Sequence, residues 1–222
     1  MLITDLIPKG KRRTVIWLDG TPAGILDNRD VSAYRLEAGS EIDEPAWQRI
    51  VQETILPRGK RKALELLQLQ DRTTKELHDK LIDAEYTEEQ TWEIIAYVAS
   101  FRYIDERRYA INYFRVHAKT KSYREMQQVL LSRGVEEDTV AAAYEQFVRD
   151  SGGTDAEGDD VESPEVLAVR RYVSGRVRGT AMTVEQRGKI YSGLMRKGFS
   201  YDAIRNVLSE YATAEQADSG EE

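Results

Sequence analysis

The sequence predicts a mainly α-helical protein: three tandem three-helix repeats in an elongated, curved array, preceded by a small N-terminal β-hairpin and helix module. Three observations predict it. An apolar pattern recurs three times, capping signals mark the matching helix starts, and the charged fraction is high for one thick globular core. Of 222 residues, 41% are hydrophobic and 32% charged. Such a chain can fold, and its charge is easier to place on thin helical layers.

The repeat is anchored at Tyr86, Val135 and Phe199. Ahead of each anchor lie Leu77, Leu81 and Ile82, then Met126, Leu130 and Leu131, then Ile190, Leu194 and Met195. Their mutual spacing puts these side chains on one helical face. Beyond the anchors come Ile94, Ile95 and Val98, then Ala143, Tyr144 and Phe147, then Val207, Leu208 and Tyr211, which predicts a second amphipathic helix. The anchor falls in the turn between the two, where it can seal their core. Thr73 with Glu76, Ser122 with Glu125 and Thr183 with Gln186 read as capping boxes for the first of these helices, and Thr87 with Gln90 for the second helix of copy one. Gly134 and Gly198 precede their anchors, where helices end in a left-handed residue. Copy one has Glu85 there, which predicts a different turn, because a non-glycine residue in that conformation costs about 1 kcal/mol.

A further helix leads each copy, over about 60–70, 105–118 and 164–178, the last with Ser163 as cap and Pro164 in the first turn. The N-terminal residues do not repeat. Arg13–Asp19 and Pro22–Leu26 flank a hairpin signal at Asp19-Gly20-Thr21, and short helices are expected over 29–36 and 43–56. The expected divisions are therefore an N-terminal module at 1–56 and repeats at 57–101, 102–149 and 164–211. An acidic flexible linker is expected at 150–163 and an acidic disordered tail at 212–222.

The composition narrows function by exclusion. There is no cysteine, hence no disulfide, thiolate metal site or cysteine nucleophile. No apolar run is long enough to span a membrane, and Met1–Lys11 lacks a signal-peptide core, so a cytoplasmic protein is expected. The two histidines, His78 and His117, have no ligand pattern around them and read as helix-surface residues. No phosphate-binding glycine loop, nucleophile elbow or calcium-loop spacing occurs. Neither an enzyme nor a cofactor is expected.

Charge gives the positive signal. The net charge is −7, yet 102–133 and 164–211 are each basic, while 151–163 and the tail are acidic. Residues 1–60 carry matching numbers of basic and acidic groups and cancel. The candidate contacts with an anionic partner are Arg102, Arg107, Arg108, Arg115, Lys119, Lys121, Arg124 and Arg133 in the second repeat. Arg170, Arg171, Arg176, Arg178, Arg187, Lys189, Arg196 and Lys197 provide the same bias in the third. Aromatic residues alternate with these cations, but Tyr103, Tyr109 and Phe114 are expected in the core.

Several stretches resemble a known family. Ala63-Leu-Glu-Leu-Leu67, Arg72-Thr-Thr-Lys-Glu-Leu77 and Lys80-Leu81 are similar to the RecX signature Ala-Leu-x-x-Leu, Arg-x-x-x-Glu-Leu-x-x-Lys-Leu. Tyr103-Ile-Asp-Glu-Arg-Arg-Tyr-Ala110 with Phe114 resembles the family's Tyr-Leu-Asp-Asp-x-x-Tyr-Ala, and Leu131-Ser-Arg-Gly-Val135 its Leu-x-x-(Lys/Arg)-Gly-Ile. Glu106, Thr73 and Glu85 depart from the usual Asp, Ser and Gly. The resemblance is strong over 60–148 and rests mainly on the repeat over 164–211. It implies a non-enzymatic monomer that lies in the groove of the RecA–single-stranded DNA filament. There it would inhibit ATP turnover, strand exchange and repressor cleavage, a role in recombination, DNA repair and the SOS response. Single- or double-stranded DNA is a further expected partner. The alternative reading is a helical DNA-binding protein that acts without RecA.

Overall fold

The computed structural model describes residues 1–151 and 162–213. Most of the expected 150–163 linker and of the acidic tail lies outside them. The described residues are mainly helical, with a small N-terminal sheet. The chain divides into two compact units, Met1–Asp105 and Glu106–Glu222.

The first unit opens with an antiparallel sheet, β1 Ile3–Lys9, β2 Arg13–Leu18 and β3 Thr21–Asp27, in the order β1-β2-β3. Asp19 and Gly20 both take positive φ, the twist that a two-residue hairpin requires. The β1 strand is an addition to the sequence reading. Only Ile3 of it is buried, and Pro8 is tolerated because β1 is an edge.

Helices α1 Asn28–Ala33 and α2 Glu44–Ile50 follow, the latter capped by Asp43, which accepts the Ala46 N–H at 2.7 Å. The sequence reading ends one helix at 56 and starts another at 60. The backbone instead runs helically through a π turn at Val51–Ile55 into α3 Leu56–Leu69. Pro57 explains the π turn: it has no N–H to give and its ring would strike the preceding turn, which one wider turn relieves.

Helices α4 Thr74–Ile82 and α5 Glu88–Ser100 complete the first three-helix repeat. Ile16 and Leu26 of the sheet share one core with Ile55, Leu77, Leu81 and Ile94 of the helices. Close approach depends on glycine: a Cβ on Gly59 of α3 would lie 2.2 Å from Ile94 Cδ1 of α5.

The second unit holds α6 Glu106–His117, α7 Tyr123–Ser132 and α8 Glu137–Ser151, then α9 Pro164–Ser174, α10 Val184–Arg196 and α11 Tyr201–Ser209. The first three close on Phe114, Met126, Leu130 and Val140, the last three on Val169, Leu194, Ile204 and Val207. Helix α9 is shorter than the expected 164–178, because Gly175 ends it. Two short parallel strands, β4 Ala181–Met182 and β5 Ala212–Thr213, pair beside the third repeat.

The repeat is expressed in the turns. Tyr86, Val135 and Phe199 are buried, and each N–H reaches the carbonyl five residues back, on Leu81, Leu130 and Leu194. Glu85, Gly134 and Gly198 bond three residues back, which completes a Schellman motif in every copy. The expectation of a different turn at Glu85 is therefore corrected. Its φ is +70°, beside +86° and +79° at the two glycines. Its carboxylate pairs with Lys9, the last residue of β1.

Candidate functional site

The cations expected to meet a partner fall into two physical groups. Some already have their donors engaged inside the chain. Arg170 is held between Glu162 and Glu210, whose hydrogen bonds push its pKa further above the ordinary arginine value. Arg187 donates to the Leu208 carbonyl at 2.9 Å and the Tyr211 carbonyl at 3.5 Å, which caps the end of α11. Arg133 donates to the Tyr109 hydroxyl and lies over the Tyr113 ring at 5.3 Å. Lys121 reaches that ring's hydroxyl at 3.2 Å, and Arg176 stacks on Tyr172 at 3.7 Å. Lys189 pairs with Glu185 at 2.7 Å, one turn earlier on α10.

The remaining candidates, Arg102, Arg107, Arg108, Arg115, Lys119, Arg124, Arg171, Arg178, Arg196 and Lys197, are all exposed to solvent, although Arg115 lies 3.5 Å from Asp150 and Arg196 donates to the Ser192 carbonyl at 3.4 Å. Arg102 ends α5 in the first unit with φ +56°, a position that would suit glycine. The rest belong to the second unit.

Three of them converge. Ser122, the N-cap of α7, accepts the Glu125 N–H at 3.1 Å and donates its own proton to the Lys197 carbonyl at 2.6 Å. This joins the start of α7 in repeat two to the end of α10 in repeat three. The left-handed Gly198 lets the chain pass there: a Cβ would meet the Arg124 side chain at 3.1 Å. Around the junction, Arg124, Arg196 and Lys197 line a cleft of about 450 Å3 with Glu125, Gln128 and Met195. Glu125 is drawn partly to Lys121, 3.8 Å away. The cleft is positive and open to solvent. A second groove, of about 320 Å3, sets Arg115 and Lys119 beside an apolar floor of Ala118, Phe147, Pro164 and Leu167.

The histidines stay apart. His78 Nε2 lies 2.9 Å from Glu88 and its ring 5.0 Å from Trp92, and the bond to Glu88 raises its pKa. His117 packs against Tyr113, and burial followed by Lys121 and Arg133 lowers its pKa. Among the described residues no group of three or more His, Asp or Glu could hold a metal ion, and no helix is long and apolar enough to cross a membrane.

One expectation about the aromatics is corrected. Tyr109 and Phe114 are buried, but Tyr103 is 51% exposed. It continues a ladder of rings, Tyr97 to Phe101 at 5.1 Å and Phe101 to Tyr103 at 5.9 Å. Lys60 stands over Tyr97 at 5.0 Å. Helical spacing could not reveal this cluster, because it marks a face without saying whether anything covers it.

Fold and surface together define a tandem three-helix-repeat protein with a cationic cleft between two of its repeats. The chain is similar to regulatory proteins of the RecX family: residues 60–98, which span most of α3 through most of α5, match the family model for the first three-helix domain of RecX. It is 28% identical over 202 residues to the regulatory protein RecX of Bacillus licheniformis, covering 90% of this chain and 73% of that one. Against the regulatory protein RecX of Bacillus subtilis it is 24% identical over 216 residues, covering 96% and 78%. The crystal structure of RecX from Lactobacillus salivarius superimposes with a TM-score of 0.54 at 25% identity, covering 70% of this chain and 95% of that one. A crystal structure of a regulatory protein RecX shares the fold over 95% of this chain, with a TM-score of 0.59 and 22% identity.

Proposed function

We propose that this protein binds in the helical groove of the RecA–single-stranded DNA filament and inhibits RecA's ATPase, strand-exchange and coprotease activities. It acts as a cytoplasmic monomer without a cofactor. The observation that carries the reading is the cleft in which Arg124, Arg196 and Lys197 come together from two repeats. A surface assembled from separate repeats suits a partner that is itself repetitive, because weak charged contacts then sum by avidity. The exposed Arg107, Arg108, Arg171 and Arg178 extend the same chemistry, whereas Arg170, Arg187 and Arg133 serve the fold first.

The alternative, DNA binding without RecA, is favoured by one observation: the exposed rings of Tyr97, Phe101 and Tyr103, beside Lys60 and Arg102, suit base stacking. Binding to bare and to RecA-coated oligonucleotide, measured over a salt series, separates the two. The filament reading expects much tighter binding to the coated strand. Equal binding to both, with a steep salt dependence, transfers the function to DNA alone.

A further inference from the structure

The N-terminal sheet carries a feature that net charge conceals. Residues 1–60 balance as a whole, but their cations are not spread evenly. The loop between β1 and β2, with the start of β2, reads Gly10-Lys11-Arg12-Arg13. Folding sets Lys11, Arg12 and Arg13 beside Arg29 around a cleft of about 590 Å3 that also holds Asp27 and Asn28. All four cations are exposed. The acids nearby are shared: Arg58 Nη1 lies 3.2 Å from Asp27 and also pairs with Asp30, and Arg29 stands at the longer distances of 4.0 Å from Asp27 and 3.8 Å from Asp30. Counting Lys11, Arg12, Arg13, Arg29 and Arg58 against Asp27 and Asp30 gives five minus two, a charge of +3. Lys9, next in the chain, is turned to Glu85.

The loop is held in place. Asn28 donates its backbone N–H to the Arg12 carbonyl at 2.8 Å and its side-chain amide to the Lys11 carbonyl at 3.4 Å. Its side-chain oxygen accepts from the Thr14 hydroxyl at 3.0 Å. One asparagine thus fixes the backbone under two of the cations and leaves their side chains free. Packing does not require adjacent like charges on an exposed tip; they repel one another unless an anion joins them. No aromatic or large apolar side chain lines the cleft, so it lacks the buried anchor on which protein interfaces depend. Guanidinium groups do match phosphate oxygens, which they can bind in pairs.

We infer that the Lys11–Arg13 tip and Arg29 form a binding site for the phosphodiester backbone of single-stranded nucleic acid, held without base recognition. The site is separate from the cleft at Arg124 and does not depend on RecA.

The test is binding of the full chain to a fluorescein-labelled oligo-dT of about 30 nucleotides, over a salt series and with no RecA present. The variant carries Lys11→Ala and Arg12→Ala, both exposed and both held by Asn28 through backbone atoms alone, so circular dichroism should be unchanged. Affinity is expected to fall about tenfold at low salt. The slope of log affinity against log salt should shrink by about 1.4, at about 0.7 for each phosphate of a single strand that is no longer neutralised. Unchanged affinity and slope would overturn the site. So would a loss confined to duplex DNA, or retained oligo-dT binding with lost inhibition of RecA, which would make the tip a protein-binding surface.

Discussion

The Ser122 hydroxyl donates to the Lys197 carbonyl across 75 residues of sequence while it caps its own helix. One fully buried oxygen thereby fixes how repeat two meets repeat three and where Arg124 stands beside Lys197. A capping box is complete at Thr73, Thr87 and Thr183. At Ser122 the hydroxyl instead serves two helices.

Replacing it should cost more than removing an ordinary cap. Ser122→Ala loses the cap and leaves the Lys197 carbonyl without its partner, together about 2–3 kcal/mol. Thr183→Ala, at an exposed cap with no second bond, should cost about 1 kcal/mol. Urea denaturation of both variants measures the difference. Equal costs would mean that the bond to Lys197 contributes nothing.

The strained turn at Glu85 predicts a gain. Glu85→Gly relieves a left-handed non-glycine residue, worth about 1 kcal/mol, and gives up a solvent-exposed pair with Lys9 worth less than that. The variant should melt slightly above the parent. Gly134→Ala, the reverse change in the same motif, should melt below it.

Gly59→Ala should destabilise by overpacking. The new methyl would overlap Ile94 and press on Tyr86, and repacking typically costs about 1–3 kcal/mol. Adding Ile94→Val should recover part of the loss, which thermal melts of the single and double variants will show.

The two histidines should titrate on opposite sides of 6.5. The fold holds the His78 proton more tightly than the unfolded chain does, because of Glu88. That contribution is complete below pH 6.5 and fades as pH rises through the higher folded value. His117 is the reverse: its contribution is present above 6.5 and lost as pH falls. The two trends oppose one another in overall stability, so NMR titration of each ring is the suitable measurement. Glu88→Gln should bring His78 back toward 6.5 and leave His117 in place.

What was legible in the sequence was local. Thr73 with Glu76, Pro164 after Ser163, and the three anchors state their roles within a few residues, and the structure fulfils them. Strand β1 was not legible, since Pro8 and a single buried residue give no alternation to read. The helix through Pro57 was hidden because a proline inside a pattern normally marks a start. The candidate cations were nameable by type, but sorting Arg170, which is clamped by Glu162 and by Glu210 40 residues away, from Arg124, which is open, required contacts that the sequence does not display. The exposure of Tyr103 was illegible for the same reason: no spacing rule reports what fails to cover a ring.

The central claim is that the cleft formed by repeats two and three restrains RecA. RecA's single-stranded-DNA-dependent ATP hydrolysis tests it most directly, with the protein titrated below one molecule per RecA, beside a variant carrying Arg124→Glu, Arg196→Glu and Lys197→Glu. Strong inhibition by the parent protein and little by the variant is the expected result, with both equally folded. Inhibition by the variant at the parent's level, or none by the parent, would contradict it.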